Sequence, residues 1–308
     1  MRPISCNLCG QNNYRIIYYG RDRLLHTDER EFAVVRCRNC GLVYLNPQPG
    51  PDELSKYYPE TYGPFIKKEM FKYSPLAKIL RVALGKIKQD KLKTSEREET
   101  KPWDDRSINY LDFGCGGGAH LESVREAHPN WNLYGLDNSE IACKAVEQKG
   151  FKVFCGDIAD VSLPENYFDH IHMGSVIEHV SDPKYVMSRL NRSLRTGGTV
   201  LIRTPNFASL ARVLFGKFWQ ALDTPRHLFL FTKKTLERLL VGTGFKVKKV
   251  SFKVGPSVEI KSFYYLLNKK DRRMSPITWR LLRPFTDLLA RLGWASTIII
   301  TAKKIREA

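Results

Sequence analysis

Four cysteines near the N-terminus have the spacing of metal ligands. They form two knuckles of the pattern C-x-x-C-G, at Cys6, Cys9, Cys37 and Cys40. Four thiolates on two such knuckles meet the tetrahedral geometry of Zn²⁺, and the glycine after each pair closes the turn. Because protein atoms fill all four positions, the pattern predicts a structural zinc with no open site for a water. Disulfide pairing is the alternative for these four side chains.

A glycine-rich loop has the chemistry to hold a nucleoside. The run LDFGCGGG places Gly114, Gly116 and Gly118 between a predicted strand and a predicted helix. Glycine has no Cβ, so a ligand can lie against the backbone, and the helix N-terminus offers free N–H groups. Dinucleotide folds share this pattern of glycines. The loop could therefore belong to a dinucleotide site or to another kind of nucleoside site. Asp112, two residues before the first glycine, and the residues downstream distinguish these two interpretations.

Two further carboxylates follow the next two predicted strands. The strand at 131–136 ends at Asp137, about twenty residues beyond the glycines, where a carboxylate can accept both ribose hydroxyls of an adenosine. The strand at 151–155 ends before Asp157 and Ile158, where a carboxylate can meet an adenine amino group. Successive strand ends therefore carry acidic groups suited to one adenosine ligand.

In this order the segments resemble the class I S-adenosylmethionine-dependent methyltransferases, over roughly residues 105–305. The resemblance implies an α/β fold with a Rossmann-like sheet of seven strands, the last of them antiparallel, and residues 296–303 suit that last strand. It also implies that S-adenosylmethionine binds to a defined set of residues: Asp112, Gly114, Gly116, Gly118, Asp137, Asp157 and Ile158.

Two histidines are the candidate catalytic residues. A hydroxyl acceptor must lose a proton when it is methylated, and the pKa of histidine lies near neutrality. His179 follows the fourth predicted strand in a Glu-His-Val segment that resembles one in many small-molecule methyltransferases. His227 follows the fifth strand in a Pro-Arg-His-Leu run similar to one in polysaccharide-type enzymes. In the alternative interpretation His179 packs on the next helix, while Arg226 and His227 only brace the loop. Glu178 is assigned no single role.

The N-terminal residues resemble a zinc-binding module found before the methyltransferase domain in enzymes of bacterial surface-polysaccharide and deoxysugar pathways. This resemblance covers residues 1–65. We therefore expect a zinc module at 1–65, a basic helix and linker at 66–105, and a methyltransferase domain at 106–308 with an amphipathic insertion at 255–294.

Two stretches have apolar residues at helical spacing opposite basic ones. The first begins at Ser74 and carries Leu76, Ile79, Leu80, Ala83 and Ile87; the second carries Leu281, Phe285, Leu288 and Leu292. Such cationic amphipathic helices are typical of membrane interfaces. Packing of both stripes on the protein itself is the alternative.

The composition fits a globular protein with a strongly basic surface. The chain has 308 residues and a formal net charge of +18, which favours nucleic acid, an anionic membrane face or a phosphorylated small molecule as partner. No apolar run approaches the ~18 residues of a membrane span, and no apolar signal region is present, which predicts a cytoplasmic protein. The other cysteines, Cys115, Cys143 and Cys155, are expected to be small buried side chains.

The leading hypothesis is an S-adenosylmethionine-dependent methyltransferase acting on a sugar. It would methylate a hydroxyl or carbon of a nucleotide-linked or lipid-linked saccharide in cell-surface glycan biosynthesis, with contact to the inner membrane face left open. An rRNA or tRNA methyltransferase is the second hypothesis. It is weaker because no Asn/Asp-Pro-Pro-Tyr/Phe motif follows the fourth predicted strand. Two further hypotheses are a quinone-type lipid O-methyltransferase and a non-enzymatic scaffold that keeps the fold but has lost methyltransferase activity.

Overall fold

The computed structural model describes residues 1–59, 107–254, 256–267 and 276–308. The predicted basic helix that begins at Ser74 and the predicted linker at 89–105 lie outside these residues. The strands are β1 (Tyr14–Gly20), β2 (Phe32–Cys37), β3 (Val43–Leu45), β4 (Asn109–Phe113), β5 (Asn132–Asp137), β6 (Lys152–Cys155), β7 (Phe168–Gly174), β8 (Leu194–Pro205), β9 (Phe229–Leu230), β10 (Phe245–Lys253) and β11 (Thr297–Lys304).

The helices alternate with the strands after β4, as in other α/β folds. They are α1 (Pro51–Leu54), α2 (Ala119–Ala127), α3 (Glu140–Glu147), α4 (Pro183–Ser193), α5 (Leu210–Phe215), α6 (Lys233–Gly242), α7 (Pro256–Leu266) and α8 (Pro276–Arg291). Their starts follow local capping chemistry. The Asp182 side chain caps α4, with Pro183 at its first position, and Thr232 forms a capping box at α6.

Seven strands form one mixed sheet in the order β10-β11-β8-β7-β4-β5-β6. Strand β11 runs antiparallel to both β8 and β10, whereas β4, β5 and β6 pair in parallel. The predicted seven-stranded α/β sheet with an antiparallel last strand is thereby confirmed. Ile298 and Ile300 in β11 are fully buried, which is why this segment reads as an apolar run despite its flanking lysines.

The chain divides into two compact units. The contiguous unit is Glu60–Ile171, and the split unit joins Met1–Pro59 to His172–Ala308. In the contiguous unit, one apolar core cluster is formed by the strand ends and by α2 and α3; it includes Tyr110, Leu121, Trp131, Val146 and Phe151. This core fixes the two helices against β4 and β5.

A four-stranded sheet in the split unit has the order β1-β2-β3-β9. Strands β1 to β3 come from the N-terminal residues, and β9 comes from the chain after β8, where Val43 and Tyr44 pair with Leu230 and Phe229. The N-terminal residues therefore share a hydrogen-bonded sheet with a segment almost two hundred residues later in the chain.

The amphipathic insertion contains α7 and α8, which lie between β10 and β11 in the chain. On α8 and just after it, Phe285, Leu288 and Leu292 are about half exposed, at 53%, 51% and 51%, while Leu289 is buried. The predicted apolar stripe is therefore not fully covered by this protein. Within the described residues, no helix combines the length and apolarity that crossing a membrane requires.

Two cysteines depart from the sequence expectation. Cys143 in α3 and Cys155 at the end of β6 form a disulfide, with Cα atoms 5.9 Å apart. Cys143 is buried, as expected, but Cys155 is exposed, so the expectation of burial was wrong for Cys155, and the bond between them was not expected. Helix α3 packs against β6, and this packing brings the two backbones within bonding range, which the 12-residue separation alone did not indicate. Cys115 is buried, as expected.

Candidate active site and metal centre

The glycine loop (residues 114–118) joins β4 to α2 in the contiguous unit. Gly114, Gly116 and Gly118 have φ values of 75°, 49° and 78°, a region that side chains with a Cβ rarely adopt. A Cβ added at Gly118 would lie 3.2 Å from Val146 Cγ2. The loop thus presents bare backbone at the carboxyl end of a parallel strand, where ligands of open α/β sheets bind.

Asp137 at the end of β5 is hydrogen-bonded to this loop. Its Oδ2 accepts the N–H of Gly116 at 2.9 Å, and its Oδ1 accepts the N–H of Ser139 at 3.0 Å. Burial raises the pKa of Asp137, although these N–H donors oppose the shift. The carboxylate is therefore held in a fixed position beside the loop.

The other predicted donor-binding residues lie in the same unit. Asp112 is buried in β4, the side chain of Ile158 is buried, and the exposed Asp157 accepts the N–H of Ala159 at 2.8 Å. Bare peptide at the glycines and carboxylates at the ends of neighbouring parallel strands fit an adenosyl ligand. We retain these residues as the predicted site of S-adenosylmethionine.

The histidine cluster (Glu178, His179 and His227) lies in the split unit. The two imidazole rings have centroids 4.6 Å apart, and one candidate ligand atom from each of the three residues lies within 4.8 Å of the others. Glu178 is only 1% exposed, and its Oε2 accepts the hydroxyl of Thr204 at 2.8 Å. The structure thus brings together both histidines that the sequence nominated separately.

Backbone carbonyls fix the tautomer of both rings. Nδ1 of His227 lies 2.8 Å from the carbonyl oxygen of Ala221, and Nδ1 of His179 lies 3.0 Å from that of Arg226. Because a carbonyl oxygen only accepts, we assign the proton of each neutral ring to Nδ1. Each Nε2 then carries a lone pair that can take a proton, as a general base requires.

The two rings differ in their surroundings. Burial lowers the pKa of His179 well below its usual value, and the positive charge of a protonated His227 lowers it further. Nε2 of His227 lies 3.9 Å from Asp223 Oδ2. A carboxylate at this distance can pair with the imidazolium that forms when His227 accepts a proton, whereas the carboxylate of Glu178 lies within 4.8 Å of both histidines.

Arg226 holds the loop that carries His227. Its buried Nη2 donates to Asp22 Oδ1 at 2.6 Å and to Asp223 Oδ1 at 2.7 Å. Burial raises the pKa of Asp22, but hydrogen bonds from Arg226 and Thr27 outweigh it and hold that pKa below its usual range. The bracing role considered for Arg226 is thus visible in the structure, and its carbonyl also orients His179.

Residues 1–59 contribute two more contacts to this region. The hydroxyl of Tyr58 lies 2.9 Å from Nδ1 of His179, and the N–H of Leu45 donates to the carbonyl of Leu228 at 2.9 Å. Sequence reasoning did not find Asp22, Tyr58 or Thr204 as parts of this cluster. A single acidic or hydroxyl residue in a loop carries no local signal of a partner far along the chain.

The four N-terminal cysteines converge in the split unit. Sγ of Cys6 lies 3.4 Å from that of Cys40, Sγ of Cys9 lies 3.6 Å from that of Cys37, and all four lie within 4.8 Å of one another. A tetrahedral zinc with bonds of about 2.3 Å places its sulfur ligands about 3.8 Å apart, so the cluster fits this ion. All four are free cysteines, so the disulfide alternative is wrong.

Comparison with known proteins agrees with the fold. A family model described as "Methyltransferase domain" matches residues 85–250, more than half of the chain. The chain belongs to this methyltransferase family. This protein is therefore an S-adenosylmethionine-dependent methyltransferase, and it has the seven-stranded α/β sheet expected of that class.

Individual relatives are more distant. A ubiquinone biosynthesis O-methyltransferase of Rhizobium etli (strain CIAT 652) is 27% identical over 188 residues, covering 57% of this chain and 75% of the relative. A malonyl-[acyl-carrier protein] O-methyltransferase of Serratia marcescens is 30% identical over 125 residues, covering 41% of this chain and 48% of the relative. A solved S-adenosylmethionine-dependent methyltransferase from Archaeoglobus fulgidus is 23% identical, covering 70% and 94%, with a TM-score of 0.47.

Proposed function

We propose that this methyltransferase methylates a hydroxyl group of a phosphate-bearing saccharide, either nucleotide-linked or lipid-linked, and that His227 is the general base. The observation that carries the proposal is the imidazole of His227, whose Nδ1 is bound to a carbonyl and whose Nε2 lies near a carboxylate. A ring held in this way can take the proton that a hydroxyl acceptor loses when it is methylated. An acceptor that loses no proton on methylation would not need such a base.

Bound S-adenosylmethionine supplies an electrophilic methyl group to the reaction. The residues of this chain then act on the acceptor: Nε2 of His227 takes the hydroxyl proton, and Asp223 stabilises the resulting imidazolium. His179 is the weaker candidate because a pKa well below its usual value makes a poorer base. We propose that His179 and Tyr58 position the acceptor oxygen.

The saccharide class rests on two features besides the histidines. The cysteine module precedes the catalytic domain, as in the polysaccharide enzymes that the N-terminus resembles, and the net charge of +18 suits phosphate groups. The test is transfer of isotopically labelled methyl groups to a panel of nucleoside diphosphate sugars and prenyl diphosphate saccharides, with bulk RNA as a further arm. Labelling of RNA alone, or of no phosphorylated saccharide, would contradict the assignment.

A lipid quinol is the second candidate acceptor, and two observations favour it. Relatives that share 27% identity are ubiquinone biosynthesis O-methyltransferases, and exposed Phe285, Leu288 and Leu292 would suit an acceptor held at an anionic membrane face. Methyl transfer to a polyprenylated catechol in vesicles, without transfer to any saccharide, would replace the saccharide proposal by this one.

We also propose that the four cysteines hold one structural zinc that positions the N-terminal residues. Asn7, between the first two cysteines, donates to the capping carboxylate of Asp182 at 2.7 Å and accepts the N–H of Lys184 at 3.0 Å. Metal analysis should find about one zinc per chain in the wild type and in a Cys115→Ala control, and none in Cys9→Ser. Full zinc content in Cys9→Ser would disprove the ligand set.

A further inference from the structure

A basic cleft in the split unit lies beside the loop of His227. It opens to solvent between the turn after β1, the segment 217–224 and the end of α7. The residues that define it are Arg21, Arg23, Lys217, Trp219, Gln220 and Tyr265. Three cationic side chains on one small cleft indicate a site for an anion.

Two donor atoms on the cleft walls are buried without an acceptor. Among the described residues, Nε of Arg23 and Nε1 of Trp219 have no hydrogen-bond partner, and Trp219 is only 1% exposed. A buried donor without a partner is unfavourable and therefore uncommon in folded proteins. Both atoms are N–H donors, so a ligand that satisfies them must be an acceptor.

The acidic groups nearby neutralise these cations only in part. Asp223 also lines the cleft, but its carboxylate is bound to the fully buried Arg226 at 2.7 Å. Glu31 forms an exposed ion pair with Arg21 at 3.0 Å, and its charge also raises the pKa of Arg23. Burial and the charge of Arg21 lower the pKa of Arg23 by more than Tyr265 and Glu31 raise it, so these groups compensate its charge only in part.

The ring of Phe218 holds two of the cations in place. The guanidinium carbon of Arg23 lies 4.6 Å from the ring centroid, and Nζ of Lys217 lies 5.6 Å from it. Cation–π contacts of this kind orient the charges before a ligand arrives. The cleft is therefore preorganised for a compact anion with several acceptor oxygens, which describes a phosphate or diphosphate.

We propose that this cleft binds the phosphate group of the acceptor while His227 deprotonates its hydroxyl, an inference that rests on the proposed function. Asp223 links the two places, because it lines the cleft and its Oδ2 lies 3.9 Å from Nε2 of His227. In a glycosyl phosphate the ring hydroxyls lie only a few bonds from the phosphorus. An acceptor whose phosphate lies in the cleft would therefore have its ring hydroxyls on the side of Asp223 that faces His227.

The first test measures binding of inorganic pyrophosphate to the full chain by calorimetry, without any methyl transfer. The double variant Arg23→Gln/Lys217→Gln should lose about tenfold or more in affinity. The control Lys246→Gln/Lys248→Gln, which removes the same charge from exposed positions on β10, should change it less than about twofold. Equal losses in both variants, or no binding to the wild type, would overturn the proposal.

Two additional measurements make the result decisive. Lys217 is exposed, so Lys217→Gln alone should weaken pyrophosphate binding even where the double variant unfolds. Uridine diphosphate and geranyl diphosphate distinguish the sources of the phosphate: binding of either one supports the cleft and indicates a nucleotide-linked or a lipid-linked acceptor. Binding of neither one contradicts it.

The final test separates this inference from the proposed function. With a methylated phosphorylated saccharide in hand, Arg23→Gln/Lys217→Gln should raise its KM about tenfold and leave the KM for S-adenosylmethionine unchanged. If no saccharide is methylated but pyrophosphate still binds at these residues, the acceptor class is wrong and the cleft stands. If saccharides are methylated and the double variant has the wild-type KM for them, the cleft does not bind the acceptor phosphate, and the acceptor class stands.

Discussion

The glycine loop and the histidine cluster are built in different ways. The loop and its carboxylate partner Asp137 are about twenty residues apart, and both belong to the contiguous unit. The histidine cluster depends on residues much farther apart in the chain. Tyr58 and His179 are separated by 121 residues, and Asp22 and Arg226 by 204.

The chemistry of the two regions explains this difference. The glycine loop acts through backbone N–H groups and through the absence of side chains, so a short run of sequence specifies it. A general base acts through one ring nitrogen, whose tautomer and basicity depend on the carbonyls and charges around it. Those neighbours come from whichever segments the fold brings together.

The largest expected effect is on turnover. His227→Ala should lower kcat by about 10²–10⁴-fold, because the proton acceptor is lost. Binding of S-adenosylhomocysteine, measured by calorimetry, should stay within about twofold of wild type, since the predicted donor site uses none of the cluster. The control is the exposed His26→Asn, where asparagine tolerates the positive φ of 53°. An undiminished kcat in His227→Ala would remove this residue from the base role.

The next largest effect is on stability, and it tests the buried ion pair between Asp22 and Arg226 that holds the loop of His227. Asp22→Asn removes one of two carboxylates from a buried guanidinium and should lower the free energy of unfolding by about 3 kcal/mol in urea titrations. Glu31→Gln breaks an exposed pair with Arg21 in the same loop and should cost less than about 1 kcal/mol. Equal effects would show that the buried pair does not hold the loop.

A change beside the glycine loop should weaken binding of S-adenosylhomocysteine, which the His227 variant leaves unchanged. Asp137→Asn replaces the carboxylate that accepts two backbone N–H groups, and we expect about a 10- to 100-fold weaker affinity for S-adenosylhomocysteine. Asp160→Asn, an exposed change in the same unit, serves as the control. Reduced turnover at saturating donor with unchanged affinity would mean that Asp137 does not belong to the donor site.

The smallest effect is a pH dependence of stability. A His179 pKa well below its usual value means that the unfolded chain binds a proton that the folded chain excludes. Stability from this group is complete above about pH 6.5 and is lost as the pH falls below it, by about 1.4 kcal/mol at pH 5.5. His179→Gln should reduce the difference between unfolding free energies at pH 7.5 and 5.5 by that amount. An identical difference in both proteins would contradict a neutral His179 in the folded protein.

Much of the fold was predictable because its elements carry local signals. The last strand was expected at 296–303 and is Thr297–Lys304, and the strand expected at 131–136 is Asn132–Asp137. Apolar runs bounded by glycine and charged residues specify such strands. The pairing of Cys143 with Cys155 was missed, because it depends on the packing of α3 against β6.

The sequence by itself determined the enzyme class: a glycine loop after an acidic strand end, with carboxylates at the next strands, is recognisable because its ligand contacts are backbone atoms at fixed spacing. It also nominated His179 and His227, each from its own short segment. Only the tertiary structure showed that the two rings are adjacent and that Nδ1 of His227 is bound to a carbonyl, which leaves Nε2 to accept a proton. It also showed that Asp22 holds the loop that carries His227, through Arg226. Side-chain basicity and orientation arise from neighbours across space, and a linear pattern does not record those neighbours.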